Sequence, residues 1–109
     1  MNTNSNTAAV RARNPENLKL ILYVDFASQP ARAIAGFCLL NGIDHELKVI
    51  AMRKKEHMKE PYISINPTNQ IPYMQEIDTV TGEVFSLGES HTIMRYLAES
   101  RACPENWYP

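Results

Sequence analysis

The sequence predicts an α/β domain: a four-stranded mixed sheet of order 2-1-3-4, flanked by helices in the succession β-α-β-α-β-β-α. Three observations carry that prediction. Leu18–Val24, "LKLILYV", is an almost continuous apolar, β-rich run, the pattern of a strand covered on both faces. A helix-period segment and the alternating run "HELKVI" follow it within about thirty residues, the size of a βαβ unit, so the first two strands run parallel. Farther on, "DTVTG", Asp78–Gly82, separates two strand-like runs. A short loop containing glycine between such runs reads as a hairpin, which makes the last two strands antiparallel.

Each element has its own signal. After the first strand, Ser28-Gln29-Pro30 opens a helix, since proline suits a first turn where its missing N–H is not needed. Ala33, Ile34, Phe37, Cys38 and Leu40 are expected on its apolar face, and Asn41-Gly42 closes it with Gly42 at positive φ. His45–Ile50 is the second strand. "RKKEHMKE" reads as a charged loop, with a short helix following around Pro61–Ile65. "INPTNQIPYM" places two prolines around a turn, "IPYMQEI" is the third strand and "EVFSL" the fourth. "GESHTIMRYLAESR" is the last helix, with Ile93, Tyr96 and Leu97 inward and Ser90 or Glu89 at its start. The whole order is the thioredoxin-like one, with the first strand central and the third antiparallel to it.

Composition narrows the function. The 109 residues fit one domain, and the net charge of −1 offers no basic excess for nucleic acid. The apolar runs are too short for a membrane span. Cys38 and Cys103 form neither a CxxC redox pair nor a spaced metal cluster, so no metal site is expected and a reducing, cytoplasmic setting is the default. Residues 1–17, "MNTNSNTAAVRARNPEN", hold little that could pack and read as a disordered tail. Their acid-poor, Arg-containing composition has an organelle transit peptide as its alternative reading.

"SQPARA" after the first strand, "NQIP" before the third, "GESHTIMRYL" opening the last helix and the terminal "ENWYP" resemble the N-terminal, thioredoxin-like domain of glutathione transferases, the theta class above all. The resemblance covers Leu18–Pro109. It implies a domain of residues 18–109 ending at the interdomain linker, without the C-terminal helical domain that builds most of the electrophile pocket. It also implies glutathione as co-substrate, an electrophilic small molecule as second substrate, and a homodimer when full length.

Site residues follow from the same resemblance. Ser28 corresponds to the serine whose hydroxyl donates to the glutathione sulfur; a helix-capping serine is the plain alternative. Pro72 corresponds to a cis-proline that leaves the backbone N–H and C=O of Ile71 facing outward, to pair with the cysteinyl residue of glutathione like an added strand. Glu89 and Ser90, at a helix amino terminus, suit the ammonium and carboxylate of the γ-glutamyl end. His57 and Gln70 fall near the glycine end. Gln70 stands where theta-like sequences commonly carry lysine, so it can donate a hydrogen bond but brings no charge. Arg32 is expected to brace the turn, and Cys38 to be a core residue. Gln70 and the hairpin loop at Asp78–Gly82 keep a second reading open, a non-catalytic transferase-like domain for protein–protein assembly. The absence of cysteine at positions 28 and 32 argues against thiol–disulfide redox work.

Overall fold

The computed structural model describes residues 15–103. Four strands, β1 (Leu18–Val24), β2 (Glu46–Val49), β3 (Tyr73–Asp78) and β4 (Val84–Gly88), form one sheet in the order β2-β1-β3-β4. β1 pairs parallel with β2 and antiparallel with β3, and β3 pairs antiparallel with β4. Helix α1 (Gln29–Leu40), the single turn α2 (Tyr62–Ile65) and α3 (Ser90–Ser100) complete the fold. The expected α/β, thioredoxin-like topology is the observed one.

Two cores form because β1 is apolar on both faces. Leu20, Leu22 and Val24 join Ile34, Phe37 and Cys38 of α1, Met74 of β3 and Ile93 and Leu97 of α3 in the larger one. On the opposite face Ile21 and Tyr23 pack with Tyr62 of α2. The amino-terminal half of α1 thereby stands on one side of the sheet and α2 on the other, both reached from the end of the sheet where β1 stops.

Several local expectations shift. Ala33 and Leu40 are exposed, and Ala31 and Ala35 take their places beside Ile34, Phe37 and Cys38. The buried stripe repeats at i, i+3, i+4 and i+7 from Ala31, and α1 keeps its last turn, Leu39 and Leu40, in solvent. β2 is shorter than His45–Ile50 and exposed at all four positions, because it is an edge strand that no helix covers. The charged loop folds into two 3-10 turns, Met52–Lys54 and Glu56–Met58. β3 begins at Tyr73, after Pro72, which has no N–H for the ladder. Pro15–Asn17, placed in the tail by their composition, form a 3-10 turn. The Asn17 carbonyl accepts from the backbone N–H and the hydroxyl of Thr79 at 2.8 and 2.9 Å, a tie no local pattern announces. The rest of the expected tail and the "ENWYP" motif lie outside the described residues.

Candidate functional site

The sheet register brings the sequence-predicted residues to one end of the molecule. Tyr23 pairs with Tyr73, and Tyr73 with Gly88. Pro72 thus leads into β3, and Glu89 follows β4, at the end of the sheet where β1 stops at Val24. The chain leaving β1 reaches Ser28 four residues later. β2 ends at the same side, where the Ile50 N–H donates to the Val24 carbonyl at 2.8 Å, so the loop carrying His57 emerges there too. Gln70 adjoins Ile71, and its side chain is exposed.

Ser28 is the N-cap of α1 in an extended backbone conformation. Its N–H donates to the Asp25 carbonyl at 2.8 Å, and its Oγ accepts from the Ala31 N–H at 3.4 Å. That cap is long for an N–H···O bond. It uses an oxygen lone pair only, so the hydroxyl hydrogen has no acceptor among the described residues. Capping and donation to a ligand are therefore compatible in one side chain. The expected brace is present: the Arg32 guanidinium donates to the Phe26 carbonyl at 2.5 Å.

The Ile71–Pro72 bond is cis, as is Glu60–Pro61. Pro72 is buried, while the backbone N–H and C=O of Ile71 take no partner among the described residues. The preceding residue is held from below. Tyr62 Oη and Asn66 Nδ2 donate to the Gln70 carbonyl at 2.7 and 2.9 Å, and Tyr62 and Asn66 are both buried.

Glu89 is the N-cap of α3, with φ 69° and ψ 121°, a conformation that a residue with a Cβ rarely takes. Its carbonyl receives the first helical bond, from Ile93 N–H at 2.9 Å, but its carboxylate caps nothing. An exposed carboxylate therefore stands over an N-terminal turn whose own N–H groups suit an anion. An acidic side chain and an anion-accepting turn side by side can meet the two opposite charges of an amino-acid zwitterion.

His57 is half-buried, and its Nδ1 is enclosed without a hydrogen-bond partner. Asp25 links its loop to the serine turn. Asp25 Oδ1 accepts from Ala27 N–H at 3.0 Å and Oδ2 from Met52 N–H at 3.0 Å. Those two N–H groups hold the carboxyl below its ordinary range, with His57 adding to them. An acid bonding the N–H two residues on is a turn signature, so the Ala27 bond was readable, whereas the Met52 bond, 27 residues away, was not. Burial pushes the Cys38 thiol up to about 12, as suits a core residue.

A cavity of about 480 Å³ lies between Tyr23, Ile50, Glu56 and Tyr62, beside the loop that carries His57, and one of about 350 Å³ lies away from this end, around Asn41 and Arg101. Among the described residues no cluster of three or more His, Cys, Asp or Glu could hold a metal ion, and no helix is long and apolar enough to cross a membrane.

Comparison with known proteins gives this geometry a context. The family model for the glutathione S-transferase N-terminal domain matches residues 28–100. Glutathione S-transferase theta-1 of Bos taurus is 38% identical over 90 residues, which are 83% of this chain and 35% of that protein. The theta-1 enzyme of Rattus norvegicus is 37% identical over the same shares. Among solved structures, human glutathione transferase theta-2 in complex with glutathione superposes with a TM-score of 0.73 at 34% identity, over 83% of this chain and 35% of that one. A glutathione transferase homologue from Drosophila mojavensis with bound glutathione gives 0.72 at 28% identity, over 84% and 39%. The chain thus spans about a third of the length of these relatives. With the family model lying over β2, β3, β4 and all three helices, and with theta-class enzymes as its relatives, this chain belongs to the glutathione S-transferase family as an N-terminal domain.

Proposed function

We propose that this chain binds glutathione and holds its sulfur as a thiolate, as part of a theta-like transferase that conjugates glutathione to electrophiles. The observation that carries this reading is the Ser28 hydroxyl, which caps α1 through its oxygen and retains its hydrogen. A hydrogen bond to a charged group contributes about 1.5–3 kcal/mol. At 1.36 kcal/mol per pKa unit, that lowers a bound thiol by about one to two units. Starting from a free value of about 8.5, the sulfur then titrates around neutral pH, so that a large share of it is thiolate there. The amino terminus of α1 adds a smaller favourable term. Ser28 is thus a thiolate stabiliser and needs no base to activate it.

The rest of the tripeptide follows along the sheet end. Ile71 pairs with the cysteinyl backbone through its open N–H and C=O. Glu89 takes the γ-glutamyl ammonium, and Ser90 with the first turn of α3 takes the carboxylate. His57, with Gln70, meets the glycine end. The electrophile pocket, the homodimer and a detoxifying role in the cytoplasm belong to the whole enzyme in this reading, and the chain alone has little or no turnover.

Titration with glutathione labelled at the cysteinyl Cβ tests it. Millimolar glutathione is expected to shift the amide resonances of Ile71 and Ser90, and the label is expected to report a thiol pKa below the free value. No shift at millimolar concentration would refute the reading.

A further inference from the structure

We propose that Asp25 is a positioning residue that sets the span between the thiolate end and the glycine end of the ligand groove, and so governs recognition of the third residue of the tripeptide without touching it. The inference rests on the glutathione reading above and deepens it. Three hydrogen bonds carry it. The Asp25 carbonyl accepts from Ser28 N–H at 2.8 Å, which fixes the serine turn to the end of β1. Oδ1 accepts from Ala27 N–H inside that turn, and Oδ2 from Met52 N–H across the gap to the loop after β2.

Met52 opens the 3-10 turn Met52–Lys54, and this turn leads through Lys55, at φ 59°, to Glu56–Met58, which carries His57. The loop has a second tie, from Ala51 N–H to Glu56 Oε1 at 2.7 Å. That tie is internal to the loop and shapes it without saying where it sits. The backbone bond from Ile50 N–H to Val24 O holds the root of the loop, and Asp25 is the side chain that holds its first turn. One carboxylate therefore has the serine turn, through Ala27 N–H, on one oxygen and the histidine loop, through Met52 N–H, on the other. A short, branched-end acid is required here: both oxygens must accept at once, which an amide cannot do because one of its two ends is a donor.

Two substitutions separate positioning from simple support. Asp25→Asn keeps the size and loses one acceptor. Met52→Pro deletes the Met52 N–H and leaves Asp25 and the serine turn intact. Proline is tolerated there because Met52 is the first residue of its turn and Ala51 is already extended, at φ −78° and ψ 101°. The readout is the ratio of affinities for glutathione and γ-glutamylcysteine, which lacks the glycine, measured by amide shift titration of the 109-residue chain. Met52→Pro is expected to weaken glutathione by about three- to tenfold and to leave γ-glutamylcysteine unchanged, so that the ratio falls; Asp25→Asn is expected to weaken glutathione at least as much. Equal loss for both ligands, or no loss for either, in a folded Met52→Pro chain would overturn the proposal. A wild-type chain that binds neither ligand would refute the glutathione reading itself. A wild-type chain that binds both equally would leave that reading standing and overturn only the role of Asp25.

Discussion

At the hairpin end of the sheet, Asp78 Oδ1 accepts from the N–H groups of Val80 and Thr81 at 2.8 and 3.1 Å, and the Gly82 N–H returns to the Asp78 carbonyl at 2.7 Å. Thr79 reaches back to Asn17, and Glu76 deeper in β3 is closed by Arg101 and the Tyr96 hydroxyl. At the opposite end, and among the described residues, Ile71 keeps an N–H and a C=O without partners, Ser28 keeps a hydroxyl hydrogen, and Glu89 keeps a carboxylate. One end consumes its polar groups and the other presents them. Unmet polar groups on a rigid strand end are stabilising only once a ligand meets them, which is why the same sheet can be structural at one margin and receptive at the other.

That contrast can be broken most forcefully at Arg101. Its guanidinium lies 2.5 Å from the fully buried Glu76 Oε2. Removing one member of a buried pair costs about 3–5 kcal/mol, so Arg101→Ala is expected to lower the denaturation midpoint sharply while the folded fraction still binds glutathione. Loss of glutathione binding by the folded fraction would mean the two ends are not independent. Ser28→Ala is the mirror experiment. The pKa of bound glutathione is expected to rise by about one to two units. The stability loss should stay below the ~1 kcal/mol of an ordinary cap, because the Ala31 bond is long. A lowered melting point with an unchanged thiol titration would make Ser28 a cap only.

Gly82 sharpens the contrast with a smaller effect. Its φ of +81° has open space around the missing Cβ, so Gly82→Ala carries only the backbone penalty, about 1–2 kcal/mol, and is expected to leave glutathione titrations untouched. Cys38 contributes no change at neutral pH and a sizeable one only in alkali, because burial pushes its thiol from the ordinary 9.0 up to about 12. The unfolded thiol ionises first, so its contribution is fully present below pH ~9 and is lost as pH rises toward ~12. Denaturation curves followed across that range are expected to show the decline in the wild type and a weaker one in Cys38→Ala.

Much of this was legible in the chain. β1 could be read to the residue because an apolar run has sharp ends, and the hairpin because its loop carries its own turn chemistry. The candidate site residues come from the family resemblance, and their meeting at one sheet end follows from the topology, which forces the ends of β1 and β4 and the start of β3 together. Polarity misled where it met burial. Glu76 looks like an ordinary strand residue in "IPYMQEI", yet it shares the inward face with Met74, and the period of two points that way. Its partner Arg101 lies 25 positions on, beyond any local pattern. Asp25 shows the same limit: its turn is local, and its tie to Met52 depends on where β2 ends.

The backbone of Glu89 has a consequence for how this fold would change under selection. A non-glycine residue at φ 69°, ψ 121° carries strain on the order of 1–3 kcal/mol, and glycine would relieve it. A library screened for heat resistance alone would therefore drift toward glycine at this position, and would shed with it the carboxylate proposed to hold the γ-glutamyl ammonium. Thermal selection and ligand selection pull in opposite directions at one codon, so a glutamate kept at position 89 under sustained heat would report that binding, and not folding, is what the lineage was being asked to keep.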